Sequence, residues 1–75
     1  MEKELMFSYD KEGDILDISI GKPQRAVTEE LTEDVFVRIN PKLQRVVGFM
    51  IMNFTKSFIR ELERRQKPIV AKVPE

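Results

Sequence analysis

The chain has 75 residues, with 13 basic and 13 acidic side chains and neither Cys nor His. Without cysteine there are no disulfides, without histidine the usual zinc and copper ligand sets are missing, and zero net charge argues against a protein built chiefly to grip phosphate backbones. So short a chain buries only roughly 60% of its unfolded surface, which leaves association with another subunit as the remaining route to a sufficient core.

The first clear element runs from Leu5 to Tyr9, where Leu5, Phe7 and Tyr9 share one face by the two-residue period of a strand. Asp10-Lys11-Glu12-Gly13 reads as a turn, with Gly13 free to take positive φ. In the next strand, Asp14 to Ile20, Leu16, Ile18 and Ile20 point one way and Ile15, Asp17 and Ser19 the other. Gly21-Lys22-Pro23 ends it, because proline cannot donate to a ladder.

Gln24 to Leu31 has a weaker pattern, diluted by Glu29-Glu30, and reads as an edge or partly exposed strand. After a turn at Thr32-Glu33-Asp34, Val35, Val37 and Ile39 give a clean buried face that Asn40-Pro41 terminates. Arg45 to Met52 is the most hydrophobic segment and lacks polar alternation, which places it centrally in a sheet or at a subunit interface. Thr55 to Gln66 is an amphipathic helix: Phe54, Phe58 and Leu62 form a stripe with Ile59 beside it, Thr55 or Asn53 is the expected N-cap, and Lys67-Pro68 stops it.

These elements predict an α+β fold, an antiparallel β-meander of four to five strands followed by one C-terminal amphipathic helix packed on the sheet. Residues 1–67 form the single domain, and residues 68–75 are a tail apolar enough to dock on a partner subunit. The stretch from Val46 to Met52 is too short to span a bilayer, and Met1-Glu2-Lys3-Glu4 lacks the start of a signal peptide, so a cytoplasmic location without membrane association is expected.

The order Tyr9-Asp10, Asp14-Ile15-Leu16, Ile18-Ser19-Ile20, Glu30-Leu31, Val35-Phe36-Val37 and Val46-Val47-Gly48-Phe49-Met50-Ile51 resembles the YuzE-like family of small prokaryotic proteins, a domain of unknown function (DUF2283). The likeness covers about residues 7 to 55. It implies the same meander and helix and no activity; members look like companions of small toxin-type proteins, which implies an antitoxin-like binding role. Two places depart from the family pattern. Asp17 stands where an aromatic is usual, and Asn40-Pro41-Lys42-Leu43-Gln44 replaces an acidic, glycine-containing turn.

Three groups of side chains invite a functional reading. Asp10, Glu12, Asp14 and Asp17 cluster carboxylates that suit calcium or magnesium, but turn chemistry accounts for the same residue types, so no metal and no cofactor is assigned. Lys56, Arg60 and Arg64 line one helix face as a nucleic-acid surface would; Glu61 and Glu63, each four residues before a basic partner, favour a solvated, ion-paired face instead. Catalysis is not expected: no thiol or imidazole is available, and Ser8, Ser19 and Ser57 lie outside any nucleophile motif. One helix cannot cover both faces of a five-stranded sheet, and the cluster from Phe49 to Phe58 is rich in Met and Phe, so a homodimer is expected. Its contacts are assigned to Phe49, Ile51, Met52, Ile69, Val70 and Val73. A non-enzymatic interaction module is the leading expectation, with nucleic-acid binding as the alternative.

Overall fold

The computed structural model describes residues 3–73. Five strands form one antiparallel sheet: β1 Leu5–Asp10, β2 Ile15–Ile20, β3 Val27–Thr32, β4 Val35–Asn40 and β5 Arg45–Ile51. A π-helical turn, Phe54–Phe58, then runs directly into α1, Ile59–Arg65. The expected α+β architecture is observed. Residues 74–75 of the predicted tail lie outside the described residues. Among the described residues, no helix is long and apolar enough to cross a membrane.

The spatial order is β1-β2-β5-β4-β3. The hairpin β1–β2 and the three-stranded meander β3–β4–β5 are thus joined side by side, β2 against β5. The apolar segment from Arg45 is indeed central, and β3, with Glu29 and Glu30, is indeed an edge. The other edge is β1.

Register sorts the side chains into two faces, since directly opposed residues share a face. Tyr9 opposes Leu16, which opposes Ile51, which opposes Val35. Phe7, Ile18, Phe49 and Val37 form the next row. This is the apolar face, and Phe54 packs its ring edge-on against Tyr9 there, with centroids 6.2 Å apart. The core is small: Val35 and Val37 are its only buried hydrophobic side chains among the described residues.

On the opposite face Asp17, Met50 and Phe36 form a row. Arg38 reaches back across β5 and donates to Asp17 Oδ2 at 2.7 Å, which gives this acid a cross-sheet partner. Both side chains are about one-third exposed (34% and 30%), so the pair is worth little. Replacing Asp17 by Asn should lower stability in a urea melt by about 1 kcal/mol or less.

The missing alternation of β5 has a cause beyond two-sided burial. Arg38 opposes Gly48 but Ile39 opposes Val46, so Val47 is an extra residue, a bulge that shifts the facing of everything before it. Two hairpin loops are built alike. The Asp10 carboxylate accepts from the amides of Glu12 and Gly13, and the Asn40 side-chain oxygen from those of Lys42 and Leu43. Each loop closes on a left-handed residue, Asp14 (φ 56°) and Gln44 (φ 52°). The Asn40 loop therefore has the same geometry as the Asp10 loop, and the positive φ expected of Gly13 belongs to Asp14.

Candidate functional site

The chain leaves β5 between two hairpin turns, and an aspartate from each holds it. Asp34 (φ 67°) accepts from the Met52 amide at 2.7 Å through its backbone carbonyl, and from the Asn53 side-chain amide at 3.0 Å through its carboxylate. Asp14 holds the next three residues. Its backbone carbonyl accepts from the Phe54 amide at 2.9 Å. Its carboxylate accepts from the Thr55 amide at 3.0 and 3.1 Å, the Thr55 hydroxyl at 2.9 Å and the Lys56 amide at 3.1 Å. The Tyr9 hydroxyl completes the shell at 2.6 Å.

This is an N-cap delivered from 41 residues away in sequence. A helix start leaves amides without intrahelical acceptors, and its dipole favours an anion there. The segment supplies no acid of its own in that turn. The expected caps do not act as such: Asn53 sits at the cap position in left-handed conformation without a side-chain cap bond, and its amide goes to Asp34 instead. The Thr55 hydroxyl donates to Asp14 rather than accepting from the helix. The Asn53 carbonyl accepts from both Ser57 (2.8 Å) and Phe58 (3.1 Å), which widens the first turn into the π form. Phe58 then stacks on Phe54 with centroids 6.1 Å apart.

The electrostatics follow from the contacts. Asp14 is the only buried charged residue among those described, 2% exposed. The Tyr9 hydroxyl and then the Thr55 and Lys56 donors hold its carboxyl well below the usual carboxylate range, against the opposing effect of burial. The same bond to Asp14, with burial, raises the Tyr9 hydroxyl above its ordinary value. An acid so fully engaged is fixed as an anion and has little capacity left to move a proton or ligate a cation. Asp10 is turned onto its own loop amides and Asp17 Oδ2 onto Arg38, so three of the four clustered acids make structural contacts. Among the described residues no group of three or more Asp or Glu side chains is placed to hold a metal ion.

The basic stripe is divided. Arg64 donates to Glu61 at 2.6 Å, and Arg65 approaches the same carboxylate at 3.8 Å. Lys56 and Arg60 are exposed. Glu61 is held below its ordinary pKa by the bond from Arg64, and Arg64 is raised in return.

The residues assigned to an interface fall into two sets. Phe49 and Ile51 lie on the apolar face in the rows of Val37 and Val35, half-buried within the single copy, and Met52 is half-buried where β5 ends. Ile69 is half-buried and lines a cleft with Thr32, Phe58 and Arg65. Val70 and Val73 are exposed, at 77% and 43%. The largest apolar exposure in the sheet is elsewhere, on β1, every residue of which is exposed. Leu5 and Phe7 are 58% and 65% open, next to Met6 and Tyr9. Alternation predicted a face for these residues, but only strand order could reveal that β1 has one neighbour rather than two.

A family model described as "Protein of unknown function (DUF2283)" matches residues 6–54. No curated protein and no solved structure matches the chain. The matched region takes in all five strands except Leu5 at the start of β1, together with the Asp10–Asp14 loop and the first residue of the π-helical turn, and stops before α1.

Proposed function

Because the chain belongs to the DUF2283 family of proteins of unknown function, whose name assigns no activity, we propose from its geometry that it is a non-enzymatic interaction module that works as a homodimer. The observation that carries this reading is surface area. One copy exposes 6269 Å², whereas a compact monomer of its 8.8 kDa mass exposes only about 4,800 Å². The radius of gyration agrees, 13.0 Å against about 11.4 Å for a compact chain of this length. Among the described residues, the exposed Val70 and Val73 of the tail and a sheet with only two buried valines both contribute to that surplus. A standard interface removes about 800 Å² from each partner, well within that surplus.

The absence of catalysis in this reading rests on the lack of thiol and imidazole and on the engagement of the most perturbed acid, Asp14. The nucleic-acid alternative has less support, since Glu61 draws off Arg64 and the net charge is zero. A cytoplasmic setting and an antitoxin-like role belong to the same proposal, the latter as a complex of the dimer with a second small protein. Sedimentation equilibrium at micromolar concentration should return twice 8.8 kDa. A single copy at all concentrations up to ~100 μM, an affinity of about 5 kcal/mol or weaker, would remove the proposal.

A further inference from the structure

Resting on the homodimer reading, we infer that the second copy is recognised by the edge of β1, which pairs antiparallel with β1 of its partner about a two-fold axis at Phe7, fusing two five-stranded sheets into one of ten. The backbone gives the first reason. The Gly21 amide donates to the Glu4 carbonyl, so Glu4 and Gly21 face each other as a hydrogen-bonded pair. Alternation along an antiparallel ladder then directs the amides and carbonyls of Met6, Ser8 and Asp10 to β2, and those of Leu5, Phe7 and Tyr9 outward. The residues with outward backbone groups are also those with exposed apolar side chains on the apolar face.

Self-complementarity gives the second. With Phe7 opposite Phe7 of the partner, Leu5 falls opposite the partner's Tyr9 and Tyr9 opposite the partner's Leu5. All three are hydrogen-bonded pairs, so every outward backbone group finds an acceptor or donor. A closed two-fold contact of this kind satisfies both edges at once and stops at two copies. The acids Glu4 and Asp10 meet only at the ends of the ladder, where Asp10 is already turned onto its own loop.

Comparison of the two edges gives the third. Exposed edges are normally blocked by charge. The edge β3 carries Glu29 and Glu30, both exposed, at the middle of its span. From Leu5 to Tyr9 there is no charged residue.

The test uses the full chain. Phe7 is 65% exposed, so Phe7→Lys leaves the fold intact by circular dichroism, while two lysines at the axis weaken dimerisation at least ~10-fold in sedimentation. The chain has no cysteine, so Phe7→Cys supplies one thiol per copy. Hydrogen-bonded antiparallel partners lie about 5.5 Å apart at Cα, within disulfide range. Mild oxidation should cross-link Phe7→Cys at least ~10-fold faster than Thr28→Cys on the β3 edge. Equal cross-linking rates, or a dimer indifferent to Phe7→Lys, would overturn the edge pairing. A dimer indifferent to Phe7→Lys but broken by Val70→Lys would assign the contact to the tail and leave the homodimer standing. A monomeric parent chain would end both.

Discussion

Replacing Asp14 by glycine is expected to lower the thermal midpoint by roughly 10 °C or more, with loss of helical signal before the sheet melts. One side chain joins Tyr9 of β1, the turn between β1 and β2, and the start of the helical segment. Its removal leaves the Thr55 and Lys56 amides and two hydroxyls without their acceptor. Glycine is the informative choice because Asp14 has φ 56°, where alanine would add a backbone penalty unrelated to capping. Asparagine tolerates the same φ but turns an amide toward donors, so Asp14→Asn should lie between the parent and Asp14→Gly.

The acid limb tests the same claim. The folded chain holds Asp14 below the ordinary carboxylate range, so in acid the unfolded state binds its proton first, and stability falls with pH. The contribution is complete above about pH 4 and declines below it as pH approaches the depressed value. At the alkaline end the sign reverses. Tyr9 is raised above 10.0, so its contribution is complete below that pH and fades as the hydroxyl ionises. Chemical denaturation of the parent chain should show a plateau between these limits. Asp14→Gly should flatten the acid limb to the small contribution of the half-exposed Glu61 and shrink the alkaline limb to what burial of the Tyr9 hydroxyl sustains.

Gly48→Ala should be nearly as damaging, costing about 3 kcal/mol, a large share of the stability of a domain this size. A Cβ there would stand 2.7 Å from the Ile18 carbonyl oxygen and 3.6 Å from Ser19 Cα. Both are backbone atoms of β2, so no rotamer change can relieve the clash. Relief requires opening the β2–β5 ladder, the seam that joins the hairpin to the meander. Gly13→Ala is the contrast. Its nearest neighbour would be the Asp10 carboxylate at 3.0 Å, a side-chain end able to shift, and urea melts should place its cost below about 1 kcal/mol.

The strands were readable because alternation is a local signal. Leu16-Asp17-Ile18-Ser19-Ile20 and Val35-Phe36-Val37 carry their faces on their surface, and Glu29-Glu30 marks β3 as an edge. The bulge at Val47 defeats alternation, so β5 showed its central position but not its register. Strand order depends on β2 meeting β5, a pairing that no local pattern encodes. Asp14 was visible only as one acid among four at a turn. Two signs pointed further: the loop amides need only Asp10, and the helix start at Phe54-Thr55-Lys56 has no acid of its own. Connecting the two requires the fold. The same holds for β1, whose Leu5, Phe7 and Tyr9 were legible as one apolar face while their lack of an outer neighbour was not.

Amide hydrogen exchange on β1 tests the assembly most directly. Met6, Ser8 and Asp10 bond inward to β2 and should be protected at every concentration. Leu5, Phe7 and Tyr9 point away from the sheet, and the paired edge predicts that their amides become protected as concentration rises through the dimerisation range. Exchange at the free-chain rate for these three amides in a solution that is demonstrably dimeric would contradict the pairing.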